Sequence, residues 1–363
     1  MRIIEEIQLD FDDVLIQPKR SSINSRQDVD IYREFKWTTK HGEVRSFTCI
    51  PISAANMGTV GTPHMAIELA KNEYMSCLEK HLTVKEIFFV YDYLTAYAIN
   101  KKEKDETSFR SRVFVSIGTR ESFDILDEVN ATYPLIGINI DVPNGYFPAL
   151  IERVKECRER YPNSFIIAGT VVTGDIVQDL LRSGASAVRC GIGQGSMCIT
   201  RLKTGVGRPT LSMIMDCADA AHQIDGYIMC DGGVKTPGDV CKAFCAGADF
   251  VMSGSLFAGC DESSGEIIDR DGKLYKMYYG MSSKLAQDKH FGGMSEYRTS
   301  EGREKLIPYT GPLIDVINDI NGGLRSCCTY IGSRKIKHMP RQASFYKVYH
   351  QVNTMFANSE NIL

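Results

Sequence analysis

A closed (β/α)8 barrel is predicted by three observations. Short apolar runs rich in β-branched and aromatic residues recur along the chain, amphipathic stretches separate them, and glycine-rich loops follow several of them. The runs span 47–54, 74–78, 112–117, 135–141, 165–168, 187–190, 227–230 and 250–253. Each is short enough for a strand and nearly continuous in apolar character, which marks strands of a parallel sheet covered on its outer face. Between them the spacing is helical: Ile176, Leu180 and Leu181 fall on one face, as do Val240, Ala243 and Phe244. Eight such units favour a closed barrel over a doubly wound open sheet, and a barrel of this length commonly forms one domain spanning 1–363.

Two segments repeat one device. Leu181-Arg-Ser-Gly-Ala-Ser-Ala-Val188 and Phe244-Cys-Ala-Gly-Ala-Asp-Phe-Val251 each end a helix at Gly-Ala and enter a strand, as a glycine C-cap allows. Two others depart from the barrel rhythm. The charge run 101–106 reads as a solvated loop. The polar, glycine-punctuated stretch from about 259 to 308 reads as a lid, with a hairpin expected around Asp271-Gly272. An amphipathic helix is expected over 313–321, stopped by Gly322-Gly323.

Composition removes several function classes. A net charge of −3 gives no electrostatic reason to expect nucleic acid or anionic membrane as partner, and no apolar run approaches a membrane span. The acidic, amphipathic start, 1–13, does not read as a signal peptide. Twelve cysteines without such a signal point to free thiols in a reducing, cytoplasmic setting. No Cys-x-x-Cys occurs, and the scattered histidines lack ligand spacing, so a zinc site is not expected; His81 and His222 read as helix-end or packing residues.

Chemistry concentrates in the loop after the sixth run, Arg189-Cys-Gly-Ile-Gly-Gln-Gly-Ser-Met-Cys-Ile-Thr-Arg201. Glycines let its backbone approach a ligand closely. A thiol at its end, Cys198, suits covalent attack on a bound substrate. In barrels phosphate commonly binds after the seventh and eighth strands, and here those loops read Asp231-Gly-Gly233 and Ser253-Gly-Ser255. Their amides can cradle phosphate and Asp231 can accept from ribose hydroxyls, which together imply a nucleoside monophosphate. No Gly-x-Gly-x-x-Gly follows an early strand, so a Rossmann cofactor domain is not expected.

With these motifs joined by Tyr279-Gly-Met-Ser-Ser283, the chain resembles the inosine-5′-monophosphate dehydrogenase and guanosine-5′-monophosphate reductase family. The likeness runs from Leu9-Asp-Phe-Asp-Asp-Val-Leu15 to Gly323-Leu-Arg-Ser-Cys-Cys-Thr-Tyr330. Dehydrogenases of that family usually insert CBS modules between the second helix and third strand, where this chain has only the polar run 100–111. Their lids carry an Arg-Tyr pair, whereas this lid reads Glu296-Tyr-Arg-Thr-Ser-Glu-Gly302, the reductase pattern. Gln194 stands where proline is usual and Ile199 where threonine is usual.

The resemblance implies reductive deamination of GMP by NADPH to IMP and ammonia. Cys198 would be the nucleophile, with Thr200 and Glu301 the proton relay. GMP contacts carried over are Ser196, Asp231, Gly232, Gly233, Gly254, Ser255, Gly280, Met281, Ser282, Arg298 and Gly302. Cofactor contacts are Lys80, Asp141, Val142, Pro143, Ile192, Gly193, Met281, Tyr297 and Arg298. Ser25, Arg26, Ser326, Cys327, Cys328 and Thr329 would reach the cofactor from a neighbouring subunit of a homotetramer. A monovalent cation such as K+ would sit on carbonyls of Gly193, Gly195 and Cys198, close to Arg201. The alternatives are an IMP dehydrogenase lacking CBS modules, a catalytically silent nucleotide-binding barrel, and a flavin-dependent barrel oxidoreductase.

Overall fold

Residues 3–291 and 299–349 are described by the computed structural model. The expected alternation is present. Strand β1 (Val44–Ala54) leads to α1 (Pro63–Lys71), β2 (Tyr74–Cys77) to α2 (Val84–Asn100), and β3 (Val113–Ile117) to α3 (Asp124–Thr132). Strand β4 (Gly137–Asp141) precedes α4 (Pro148–Arg160), and β5 (Phe165–Val171) precedes α5 (Gly174–Arg182). Then come β6 (Ala187–Cys190), α6 (Thr210–His222), β7 (Tyr227–Asp231), α7 (Pro237–Cys245), β8 (Phe250–Ser253) and α8 (Leu313–Ile331). Neighbouring strands pair in parallel throughout, and β8 closes on β1 through Val251–Ile52, Met252–Ser53 and Ser253–Ala54. The sheet therefore has no free barrel edge, and every strand points its C-terminal end to the same mouth. No helix among the described residues is long and apolar enough to cross a membrane.

Local chemistry starts the helices. Thr83 with Glu86, and Thr236 with Asp239, form reciprocal capping boxes for α2 and α7. The two Gly-Ala repeats behave as expected: Gly184 (φ +114°) follows α5 and Gly247 (φ +110°) follows α7. The charge run 101–106 is exposed, and all twelve cysteines are free thiols.

A strand that the sequence reading passed over, Arg33–Thr38, runs antiparallel to the first half of β1 and plugs the N-terminal end of the barrel. It alternates, turning Phe35 and Trp37 inward. Phe35 stacks on Phe250 with ring centroids 3.9 Å apart, and Trp37 meets Phe165 edge to face. Asp249, 1% exposed at its side chain, takes an ion pair from Arg33, a hydrogen bond with His222 Nε2 at 2.9 Å, and the Ile228 N–H at 2.8 Å. His222, exposed at the last position of α6, is thus the helix-end residue expected; the hydrogen bond to Asp249 raises its pKa.

The stretch expected as a lid is built on a three-stranded antiparallel sheet of Ile267–Arg270, Lys273–Tyr279 and Glu304–Pro308. The expected hairpin turns at Asp271-Gly272, both with positive φ. Buried Lys276 anchors the sheet, its Nζ donating to the carbonyls of Cys260 (2.9 Å) and Ser263 (2.8 Å).

One expectation fails. Gly322-Gly323 does not stop the last helix, which runs on to Ile331 and is capped by Gly332 in the left-handed region. Gly323 serves packing instead. A Cβ on Gly323 would lie 2.8 Å from Pro237 Cβ, so its absence lets α8 close on α7, while exposed Gly322 has nothing within 4 Å. Gly322→Ala should therefore stabilise by about 0.5–1 kcal/mol through helix propensity. Gly323→Val should destabilise by about 1–3 kcal/mol through overpacking. Urea midpoints of both variants check the contrast, and equal effects would show that α7 does not require the glycine.

Candidate active site

Loops at the C-terminal mouth build the site. Strand β6 ends at Cys190, and the chain turns into the glycine loop that carries Cys198. Gly191 is required by close approach, since a Cβ there would lie 2.0 Å from the Asp231 carbonyl oxygen. After β7, Gly232 adopts φ +84°, so the backbone folds back beside the cysteine loop. Gln194, the departure from the usual proline, is buried and donates to the Arg208 carbonyl at 2.7 Å, which ties the loop to the segment before α6.

The cysteine loop is paired to the far side of the lid sheet. Cys198 and Gly302 form an antiparallel bridge; Ile199 N–H donates to the Glu301 carbonyl at 2.8 Å, and Arg303 N–H to the Met197 carbonyl at 2.8 Å. Gly280 N–H donates to the Arg303 carbonyl at 2.9 Å. This main-chain pairing brings Glu301 to Cys198 and to Thr200, which lies 101 residues earlier in the chain. The Cys198 thiol donates to Thr200 Oγ1 at 3.1 Å, and the Thr200 hydroxyl donates to Glu301 Oε2 at 2.5 Å. A thiol, a hydroxyl and a carboxylate in series can pass a proton between sulfur and Glu301. All three are partly exposed and open to a ligand.

Beneath the loop lies a buried charge network. Arg189, on β6 and 4% exposed at its side chain, donates through Nη1 to Asn56 Oδ1 at 2.8 Å and through Nη2 to Asp141, with Nε 3.2 Å from Asp231 Oδ2. Lys80 Nζ lies 3.3 Å from Asp141 Oδ2. The two carboxylates respond differently. Burial would raise Asp141, but the Arg189 and Lys80 charges outweigh it and hold the carboxyl down to about 2. Burial prevails at Asp231, whose pKa is raised despite Arg189, with Asp141 adding repulsion.

Most of the expected substrate residues gather at this mouth. Ser196 is exposed on the cysteine loop and in hydrogen-bond contact with Tyr278. Gly254 lies beneath the Tyr278 hydroxyl, and Ser255 Oγ donates to the Val234 carbonyl at 3.0 Å. Met281 Sδ accepts from Gly58 N–H at 3.2 Å, and the Ser282 carbonyl accepts from Ser300 Oγ at 3.2 Å. Of the expected cofactor residues, Lys80 follows β2, Asp141 ends β4 with Val142 and Pro143 just after it, and Ile192 and Gly193 lie on the cysteine loop. Tyr297 and Arg298 lie outside the described residues.

Ser25, Arg26, Ser326, Cys327, Cys328 and Thr329 occupy the outer layer. Arg325 Nη1 reaches the Arg26 carbonyl at 3.5 Å, and Cys327 is in hydrogen-bond contact with Cys241 and Cys245 of α7. Within one chain these residues join each other rather than the cysteine loop. Two residues of the mouth, Asn56 and Tyr278, escaped the sequence reading, and Arg189, quoted there as the start of the cysteine loop, was given no role. Arg189 carried a signal, a charge inside an apolar strand; Asn56 and Tyr278 carried none beyond their place near a strand end or in an alternating one.

Comparison with known proteins decides the family. Residues 8–354 match the family described as IMP dehydrogenase / GMP reductase domain. The chain belongs to that family. It is 45% identical to a protein of Phytophthora infestans named GMP reductase, over 99% of this chain and 96% of that one. It is 44% identical to human GMP reductase 2, over 98% of this chain and 99% of that one. A GMP reductase of Shigella boydii is likewise 44% identical, over 99% and 100%. The family likeness thus covers the cysteine loop, the glycine turns and the lid sheet together.

Burial separates the thiols. Cys198 and Cys327 are partly exposed and the other ten cysteines are buried. Brief alkylation of native protein should therefore label Cys198 and Cys327 alone, as read by peptide mass spectrometry, and Cys198→Ala should remove one adduct. Labelling of buried Cys190 or Cys230 at a comparable rate would contradict the packing described.

Proposed function

We propose that this chain catalyses the reductive deamination of GMP to IMP and ammonia with NADPH. The observation that carries the proposal is the hydrogen-bonded series Cys198–Thr200–Glu301 at the glycine loop. The whole-chain likeness to proteins named GMP reductase supports it. The IMP dehydrogenase alternative is not favoured, since those relatives carry the reductase name.

The chemistry follows from the geometry. Guanine carbon 2 is an amidine-like centre whose amino group leaves poorly until protonated. Cys198 loses its proton through Thr200 toward Glu301, and the thiolate attacks carbon 2 to form a covalent adduct. The proton returns through the same pair to the amino nitrogen, which departs as ammonia. Lys80, Asp141 and Gly193 would hold NADPH, which when bound would supply the hydride that lets carbon 2 expel the Cys198 thiolate. Atoms balance: one hydride and one proton replace the amino group by hydrogen. Asp231, Gly232 and Gly233, with Gly254 and Ser255, hold ribose and phosphate, while Gly280, Met281, Ser282 and Gly302 frame the base. Tyr297 and Arg298 add the lid's contacts.

Further readings remain proposals on the same footing. The chain forms a single barrel domain, and the lid sheet closes over both ligands. The protein assembles as a tetramer in which Ser25, Arg26 and residues 326–329 reach a neighbour's cofactor. Neutral backbone carbonyls of Gly193, Gly195 and Cys198 suit a monovalent cation such as K+. Arg201 enters that site only through its carbonyl, because its guanidinium is engaged by Asp10 and the Arg208 carbonyl. The twelve free thiols support a reducing, cytoplasmic setting.

Two substitutions test the chemistry. Cys198→Ala should abolish NADPH consumption with GMP while leaving GMP binding largely intact, because phosphate and ribose contacts come from other loops. Appreciable turnover by that variant would rule out the covalent route. Glu301→Gln should slow GMP reduction by about 10²–10⁴-fold and impair any hydride transfer between IMP and NADP+ less. Equal losses in both assays would reassign Glu301 to lid closure.

A further inference from the structure

Arg189 stands where an apolar side chain would be expected, on a barrel strand whose residues are all buried. A guanidinium taken out of water is costly unless its partners are well placed. Its partners come from three other places around the barrel: Asp231 at the end of β7, Asp141 at the end of β4, and Asn56 just after β1. Asp231 opens the glycine turn assigned to the nucleotide. Asp141, with Lys80, belongs to the loops assigned to the cofactor. One planar fork thus spans both halves of the site.

We propose that Arg189 is a positioning residue that locks Asp231 and Asp141 in register across the barrel mouth, holding the nucleotide and the cofactor at a fixed separation. The inference rests on the reading of the reaction given above. Arg189 touches neither reacting atom; it acts through the two carboxylates. Its guanidinium is suited to the task because two nitrogens donate to Asn56 and Asp141 while Nε, without a hydrogen bond of its own, sets the positive charge 3.2 Å from Asp231, a spread that a single ammonium cannot reproduce.

The charge of Arg189 has a second consequence. Asp231 can serve ribose hydroxyls as a full acceptor only while ionised. The groups facing it are Arg189 from β6, Asp141 from β4 with Lys80 beyond, the buried thiols of Cys77 and Cys230, and Tyr278. Burial raises both thiols and the phenol, so they stay neutral near pH 7. Arg189 is therefore the adjacent charge that opposes protonation of Asp231, and Asp141 favours it. Removing Arg189 should move the acid limit of GMP affinity upward.

The test uses the full chain with Arg189→Met and Arg189→Lys. It reads Kd for GMP, KM for NADPH and kcat across about pH 5.5–8.5, the range around neutrality where such a limit is visible. Variant-to-wild-type ratios at each pH cancel the titration of the nucleotide phosphate. Arg189→Met should raise both Kd and KM by about tenfold to a hundredfold, the size of a lost charged hydrogen bond. It should also move the acid limit of GMP binding up by about 1–3 pH units. Arg189→Lys should bring that limit back near wild type while the two constants recover only in part. Should Arg189→Met not fold, Arg189→Met/Asp141→Asn carries the test, with a smaller upward shift expected because the repulsion from Asp141 is removed as well. A limit that stays at its wild-type pH, or a change in only one of the two constants, overturns the inference. Wild-type protein that fails to oxidise NADPH with GMP would overturn the functional reading instead.

Discussion

The pairing of β8 with β1 is the constraint on which the rest of the molecule depends. Three residue pairs close the sheet, and closure forces every strand end and every following loop to one mouth. The opposite end must then be sealed, and Arg33–Thr38 does so with Phe35 and Trp37 set among Phe47, Phe165 and Phe250. Large aromatic burial there leaves the catalytic mouth free to be polar. A barrel without this plug would expose its first-layer rings to water.

At the mouth, main chain and side chain divide the work. Backbone pairing of the cysteine loop with residues 301–303 sets the separation of Cys198, Thr200 and Glu301. The lid sheet that supplies Glu301 is itself anchored by Lys276, whose ammonium is spent on backbone carbonyls. Rigid support behind a mobile chemical step is what positioning within a fraction of an ångström demands. Electrostatics follows the same layering, with Arg189 buried below and the exposed relay above.

The barrel and the chemistry were largely legible in the chain. The alternation of apolar runs with helical stretches, and the glycines after them, predicted each barrel strand to within a few residues, because burial on both faces leaves a continuous apolar signature. The cysteine loop, the Asp231-Gly-Gly233 turn and the Ser-Glu-Gly context of Glu301 marked the groups that the proposed reaction uses, since close backbone approach and a nucleophile restrict residue choice. What failed was Gly322-Gly323, read as a stop. A local rule assigns paired glycines to helix ends, whereas contact between α8 and Pro237 made the missing side chain of Gly323 the useful property.

Local sequence, then, determined the order of elements and the placing of Cys198 on a glycine loop, through propensity, periodicity and glycine chemistry that act over a few residues. Tertiary structure alone decided that Glu301 would meet Thr200, 101 residues away, and that Arg189 would bridge Asp141 and Asp231. It also decided that Phe35 would plug the barrel and that α8 would outrun its glycines. The reason is physical: these outcomes depend on contacts made only when the sheet closes, and no window of neighbouring residues contains both partners.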